Sequence, residues 1–102
     1  MTNVIEQHRN EVAALCRRVG ARRLDVFGSA ARADFDPAAS DLDFLVEFDE
    51  IPPARYADAY FTLKENLESL FGRTVDLVTE SSLENPYFRD RVLAERQVVY
   101  ER

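Results

Sequence analysis

Three aspartates and a Gly-Ser pair are the residues of this chain whose types and spacing can do chemistry. Gly28 and Ser29 follow an apolar run that ends at Phe27, Asp41 and Asp43 open a second run, and Asp76 lies inside a third. Residues two apart on a strand project from the same face, about 6.6 Å apart along the chain. Asp41 and Asp43 are therefore expected to project together, and Asp76 joins them if its strand pairs alongside, about 4.8 Å away.

Three carboxylates at such distances favour a metal-dependent nucleotide site. The like charges repel each other unless a cation binds. Carboxylate oxygens suit Mg²⁺ or Mn²⁺, and the sequence offers no Cys/His set for zinc. Two Mg²⁺ ions would share Asp41 and Asp43 and would stabilise the attacking and leaving oxygens at a triphosphate. Asp76 is the candidate third ligand and the acceptor of the proton of an incoming hydroxyl.

The Gly-Ser pair is the candidate phosphate cradle. Glycine lets the backbone approach a phosphate closely, and Ser29 is expected to cap a short helix over residues 30–33, whose first amides would favour an anion. Arg32, one turn further along, is the candidate cation for the phosphates or the leaving pyrophosphate. Taken alone, each of these features is also typical of an ordinary turn, a cap or a solvated sheet face.

Alternating helical and strand patterns must position these residues. Apolar periodicity predicts helices over residues 3–19, 30–33, 54–71 and 82–94, the last interrupted early by Pro86. Period-two alternation predicts strands over residues 23–27, 42–48, 74–79 and 97–100, with a loop over residues 34–40. The order predicts an α/β fold with a mixed sheet and helices mainly on one face, because the link between the first two strands is too short for a regular crossover. The aromatic side chains Tyr87, Phe88 and Tyr100 are consistent with packing or with a partner surface.

Composition predicts one small domain over residues 1–102. The chain is 46% apolar with a formal net charge of −6, and its basic residues are scattered, which argues against broad binding to nucleic acid. A nucleotide is not excluded, since metal ions reverse the local charge at a carboxylate cluster. No run approaches the roughly 20 apolar residues of a membrane span. One cysteine and no signal-peptide pattern predict a cytoplasmic protein.

The segments VFGSAAR and SDLDFLVEF resemble the minimal nucleotidyltransferases of the DNA polymerase beta superfamily. The signature of that family is Gly-Ser, a spacer of about ten residues, Asp-x-Asp, and a third carboxylate on a later strand. Gly28-Ser29, Asp41-Leu42-Asp43 and Asp76 match it in order, and the resemblance covers nearly the whole chain. The spacer here is eleven residues, and Ala30 stands where many members carry an arginine.

The resemblance implies transfer of a nucleoside monophosphate, usually AMP from ATP, to a hydroxyl. It further implies an antitoxin that modifies a tyrosine of a HEPN-type ribonuclease toxin. Two alternatives stay open at this point. In the first, the chain is a small-molecule nucleotidyltransferase of the antibiotic-modifying type. In the second, it is a binding module that neutralises its partner by occlusion without turnover.

Overall fold

A four-stranded mixed sheet forms the centre of the computed structural model, which describes residues 2–32, 36 and 41–102. Its strands are β1 (Ala21–Phe27), β2 (Leu42–Phe48), β3 (Val75–Thr79) and β4 (Gln97–Glu101). They lie in the order β3-β2-β1-β4. The β1 strand is antiparallel to β2 and to β4, whereas β2 and β3 are parallel. The predicted mixed sheet is therefore confirmed. The predicted loop over residues 34–40 lies, apart from Asp36, outside the described residues.

Three helices pack on one face of this sheet: α1 (Asn3–Gln7), α2 (Arg9–Val19) and α3 (Pro53–Phe71). In α3 the buried residues Leu63, Leu67 and Phe71 recur every four positions, so one stripe of the helix faces the sheet. This stripe packs against the alternate side chains Leu42, Phe44 and Val46 of β2. Among the described helices, none is long and apolar enough to cross a membrane.

A fourth helix, α4 (Pro86–Glu95), packs on the opposite face. Its buried Val92 joins a second, smaller apolar cluster that contains Phe27 of β1 and Leu45 of β2, together with Leu83. Neighbouring residues of a strand point to opposite faces, so Leu45 and Asp43 lie on the α4 side while Phe44 lies in the main core. The face that carries the aspartates is therefore covered only in part.

Two helix predictions differ from the structure in detail. The helix expected over residues 3–19 is divided at His8, whose backbone leaves helical geometry and whose ring packs edge-on against Phe71 at 5.5 Å between centroids. This contact with α3 overrides the continuous local periodicity. Pro86 begins α4 instead of interrupting a helix, because Asn85 caps that helix by accepting from the amides of Tyr87 and Phe88.

Candidate active site

Asp43 and Asp76 lie side by side on the two parallel strands. The β2–β3 register pairs them directly, and both face the side of the sheet that α4 covers in part. Asp43 is half-buried, whereas Asp76 is exposed. Asp41 is exposed and immediately precedes β2. The register thus brings together the two carboxylates that the sequence places on separate strands.

The surroundings of Asp43 disfavour its charged form. Burial, followed by the negative charges of Asp76 and Asp41, raises its pKa from the ordinary value of 3.8 to about 6, although the positive charge of Arg32 opposes the rise. A carboxyl group whose pKa is raised by burial and by specific like-charged neighbours in a cleft is typical of functional sites. The charges of Asp76 and Asp41 therefore both act on Asp43.

The donor set of the site decides whether it fits a metal ion. Across residues 2–32, 36 and 41–102, no three Asp, Glu, His or Cys side chains are grouped so as to hold one ion. Asp43 and Asp76 form a pair, and Asp41 acts on Asp43 through its charge. The hard oxygen donors fit Mg²⁺ in kind, and the predicted three-aspartate metal site stays a prediction.

Gly28 lies directly against the Asp43 carboxylate. Its φ is +68°, and a Cβ atom built there would stand 2.5 Å from Oδ2 of Asp43. Any other residue would be strained in this conformation and would displace the carboxylate. Glycine at this position therefore makes room for the acidic side chain as well as for an approaching ligand.

The predicted short helix after the Gly-Ser pair is wrong in type and in capping. Gly28–Ala30 form one turn of 3-10 helix, Phe27 occupies the N-cap position, and no side chain caps the turn. The amides of Ala31 and Arg32 donate to the carbonyl of Gly28 at 3.0 and 3.2 Å. Ser29 is therefore part of the turn and not its cap, although it does line the cleft beside the aspartates.

Arg32 reaches this cleft and binds α4. Its Nη1 donates to Oε2 of Glu95 at 3.0 Å, and its charge acts on Asp43. Ala30 is only 1% exposed and packs in the main core. A side chain in that direction points away from the cleft.

The α4 helix forms the second wall of a cleft of about 350 Å³. The opposite wall contains Gly28, Ser29, Asp43 and Asp76. The helix contributes Phe88, Arg91, Val92 and Glu95. These four positions follow the i, i+3, i+4, i+7 spacing of one helix face. Sequence reasoning missed this wall as part of the site. The spacing was visible in the chain, but nothing local indicated that this face meets the aspartates.

The aromatic residues near the C-terminus separate into different environments. Tyr100 packs in the main core at 9% exposure, whereas Tyr87 is 85% exposed. Phe88 lines the cleft and contacts Phe27 edge-on, with 6.3 Å between ring centroids. Tyr100 is therefore a packing residue and is not available as a partner surface.

A second groove of about 400 Å³ lies further along the same sheet face. It contains Asp25, which is only 1% exposed. Nε of Arg23 donates to both oxygens of Asp25 at 3.0 Å, and Nη1 of Arg96 lies 3.5 Å from Oδ2. A buried carboxylate with charged partners of this kind is accounted for by its ion pairs.

A mixed sheet that presents adjacent aspartates to a Gly-Ser turn defines the nucleotidyltransferase class. Residues 7–99 match the nucleotidyltransferase domain family. The chain belongs to that family and is a nucleotidyltransferase. The resemblance inferred from the motifs is thereby confirmed.

Three individual proteins show what the chain is similar to within and beyond this family. The chain is 38% identical over 98 residues to Protein adenylyltransferase MntA of Thermococcus cleftensis, covering 96% of this chain and 89% of the relative. A solved structure provisionally described as a minimal nucleotidyltransferase is 42% identical with a TM-score of 0.74, covering 90% of this chain and 89% of the other. An MNT antitoxin in complex with a tri-AMPylated HEPN toxin of Shewanella oneidensis shares the fold, with a TM-score of 0.64, 20% identity, and coverage of 96% and 73%.

Proposed function

We propose that this chain transfers AMP from ATP to a tyrosine hydroxyl of a cognate HEPN-type ribonuclease toxin and thereby acts as its antitoxin. The observation that carries the proposal is the in-register pair Asp43 and Asp76 facing the Gly28 turn. Similarity to a named protein adenylyltransferase over 96% of the chain supports a protein acceptor.

Each candidate residue has a role in this proposal. Asp41, Asp43 and Asp76 would hold two Mg²⁺ ions, which when bound neutralise the triphosphate and stabilise the oxygens that attack and leave. Gly28 and Ser29 would hold the phosphates through the backbone and the hydroxyl of the turn. Arg32 would bind a phosphate or the leaving pyrophosphate.

The transfer forms one bond and breaks another at the α-phosphorus of ATP. The acceptor oxygen attacks this phosphorus, the bond to the bridging oxygen breaks, and pyrophosphate leaves. The proton of the hydroxyl goes to the carboxylate of Asp76, which is exposed on the edge strand and can meet an acceptor from outside. The turn at Gly28, beside half-buried Asp43, would orient the phosphates for an in-line approach.

The small volume of the cleft favours an acceptor that brings its own binding surface. We infer that residues 1–102 work as one catalytic domain in the cytoplasm, where ATP is available. The cleft of about 350 Å³ is near the lower end for small-molecule sites. A nucleotide in this cleft would leave little room for a second small substrate, whereas a protein partner would present its hydroxyl at the rim.

Labelled ATP tests the proposal directly. The chain is incubated with labelled ATP, Mg²⁺ and the HEPN protein of the neighbouring gene, and we expect the label on a toxin tyrosine. The double variant Asp41→Asn with Asp43→Asn should lose the labelling. The variant Asp58→Asn, which changes an exposed aspartate of α3 in the same way, is the matched control and should retain it.

Other outcomes separate the alternative functions. Undiminished labelling by the double variant would refute the assigned roles of the aspartates. If the double variant still neutralises the toxin, occlusion by the acidic chain is the mechanism. Label found on an antibiotic hydroxyl and not on the toxin would indicate a small-molecule nucleotidyltransferase.

A further inference from the structure

Two cations line the cleft, Arg91 on the face of α4 that forms one wall and Arg32, which that face binds. Arg32 is bound by Glu95 of the stripe at 3.0 Å, so its charge is partly satisfied. Arg91 lines the same cleft. Within the described residues, Arg91 forms no hydrogen bond or ion pair, unlike Arg89 on the same helix, which donates to Glu80 at 2.7 Å.

The lining of the cleft is acidic, and this favours an additional cation where a polyanion binds. Asp43, Asp76 and Glu95 contribute three carboxylates to its lining. Ala30, in the turn that begins at Gly28, is buried and cannot reach a phosphate. Arg32 and Arg91 are the two cations of the lining, and Arg91 is the one that can donate to a polyanion from the α4 wall.

The helix is held so that Arg91 stays beside the cleft. Val92, the next residue, is 1% exposed and packs with Phe27 and Leu45 of the sheet. Phe88, three positions earlier, contacts Phe27 edge-on. Packing on both sides of Arg91 fixes its backbone, so less freedom is lost when its guanidinium binds a ligand.

We propose that Arg91 is a phosphate-binding residue of the nucleotide site, acting from α4 on the triphosphate that the Gly28 turn meets from the opposite wall. The inference deepens the proposed function and rests on it for the identity of the ligand. A guanidinium donates two parallel hydrogen bonds to phosphate oxygens, which suits a site with the cation on one wall and backbone on the other.

Nucleotide binding, measured without transfer, tests this role. Dissociation constants for AMP-PNP and for inorganic tripolyphosphate are measured by calorimetry with Mg²⁺ for the native chain, Arg91→Gln, Arg91→Lys and Arg89→Gln. We expect Arg91→Gln to weaken both ligands about 10-fold or more, as for loss of a hydrogen bond to a charged group. Arg91→Lys should fall between, and Arg89→Gln, with the same charge change on the same helix, should remain within about 2-fold.

Three results would overturn the inference. These are native affinity in Arg91→Gln, equal weakening in Arg91→Gln and Arg89→Gln, and weakening of AMP-PNP without weakening of tripolyphosphate. The last would place the contact on the adenosine portion. The proposed function is judged separately, by toxin labelling with the native chain, so a native chain that binds AMP-PNP but labels no toxin fails only the proposed function. Thermal melts of each variant establish that it is folded.

Discussion

Replacing Asp43 with asparagine is expected to stabilise the metal-free protein while abolishing AMP transfer. The raised pKa of Asp43 means that its charged form is disfavoured in the folded chain. Well below pH 3.8 the carboxyl group is protonated in both the folded and the unfolded chain and has no effect. As the pH rises from 3.8 to about 6, the unfolded chain releases this proton first, so the free energy of unfolding falls. Asparagine carries no such charge, and the variant avoids this loss.

The size of the effect follows from the pKa. A rise of the Asp43 pKa from 3.8 to about 6 corresponds to ~3 kcal/mol, at ~1.4 kcal/mol per pKa unit. Asp43 is only half-buried, and solvent screens part of the repulsion, so we expect about 1–2 kcal/mol in the free energy of unfolding. In a domain of this size 1 kcal/mol shifts the melting temperature by about 4–8 °C. The variant should therefore melt at least about 4 °C above the native chain at pH 7.

Thermal melts in EDTA between pH 4 and pH 8 measure this difference. The gap between Asp43→Asn and the native chain should open between about pH 4 and pH 6 and stay constant above that range. Asp58→Asn, on an exposed position of α3, controls for the loss of one negative charge. A variant that is no more stable than the native chain at pH 7, or a gap that is the same at every pH, would refute the electrostatic reasoning.

Further predictions concern the glycine, the arginine and the metal. Gly28→Ala and Gly72→Ala should each lose about 1–2 kcal/mol of stability in a denaturant titration, because both glycines have positive φ. Only Gly28→Ala should also lose the transfer activity, because its added Cβ displaces the Asp43 carboxylate, whereas a Cβ at Gly72 meets nothing within 4 Å. Full activity in Gly28→Ala would contradict the role of the clash. Arg32→Gln should raise the pKa of Asp43 further in metal-free protein, since the charge of Arg32 lowers it. The pKa is measured by NMR titration of the carboxyl carbon, and an unchanged pKa would contradict this prediction. AMP-PNP with Mg²⁺, at 100 times its dissociation constant, should stabilise the native chain by about 2.7 kcal/mol. The double variant of Asp41 and Asp43 should not be stabilised. Equal stabilisation of both proteins would exclude Asp41 and Asp43 as metal ligands.

The strands and the long helix were predictable because their patterns are local. The expected strand over residues 42–48 coincides with β2, and the helix expected over 54–71 differs from α3 by one residue. The apolar stripe of α3 and the alternation of β2 each bury one face, so the sequence periodicity reports the geometry directly. His8 and Pro86 show the limit of this reasoning, since the first breaks a helix through a contact with Phe71 and the second begins a helix.

The candidate site likewise contains features that local sequence patterns predict and features that they do not. The Gly-Ser turn and the common face of Asp43 and Leu45 follow from residue types and the two-residue repeat of a strand. The turn geometry did not follow, because a single 3-10 turn replaces the expected helix. The wall formed by Phe88, Arg91, Val92 and Glu95 could not be found at all from local pattern.

By itself the sequence determined the candidate residues for the chemistry, an acidic strand face beside a Gly-Ser turn, because strand alternation and turn preference act over a few residues. Only the tertiary structure decided that Asp43 and Asp76 lie in register, that Gly28 lies against the Asp43 carboxylate, and that α4 forms one wall of the cleft. These arrangements depend on strand pairing and on the packing of Val92 against Phe27 and Leu45. Such contacts join residues far apart in the chain, and their register is set by the whole buried core.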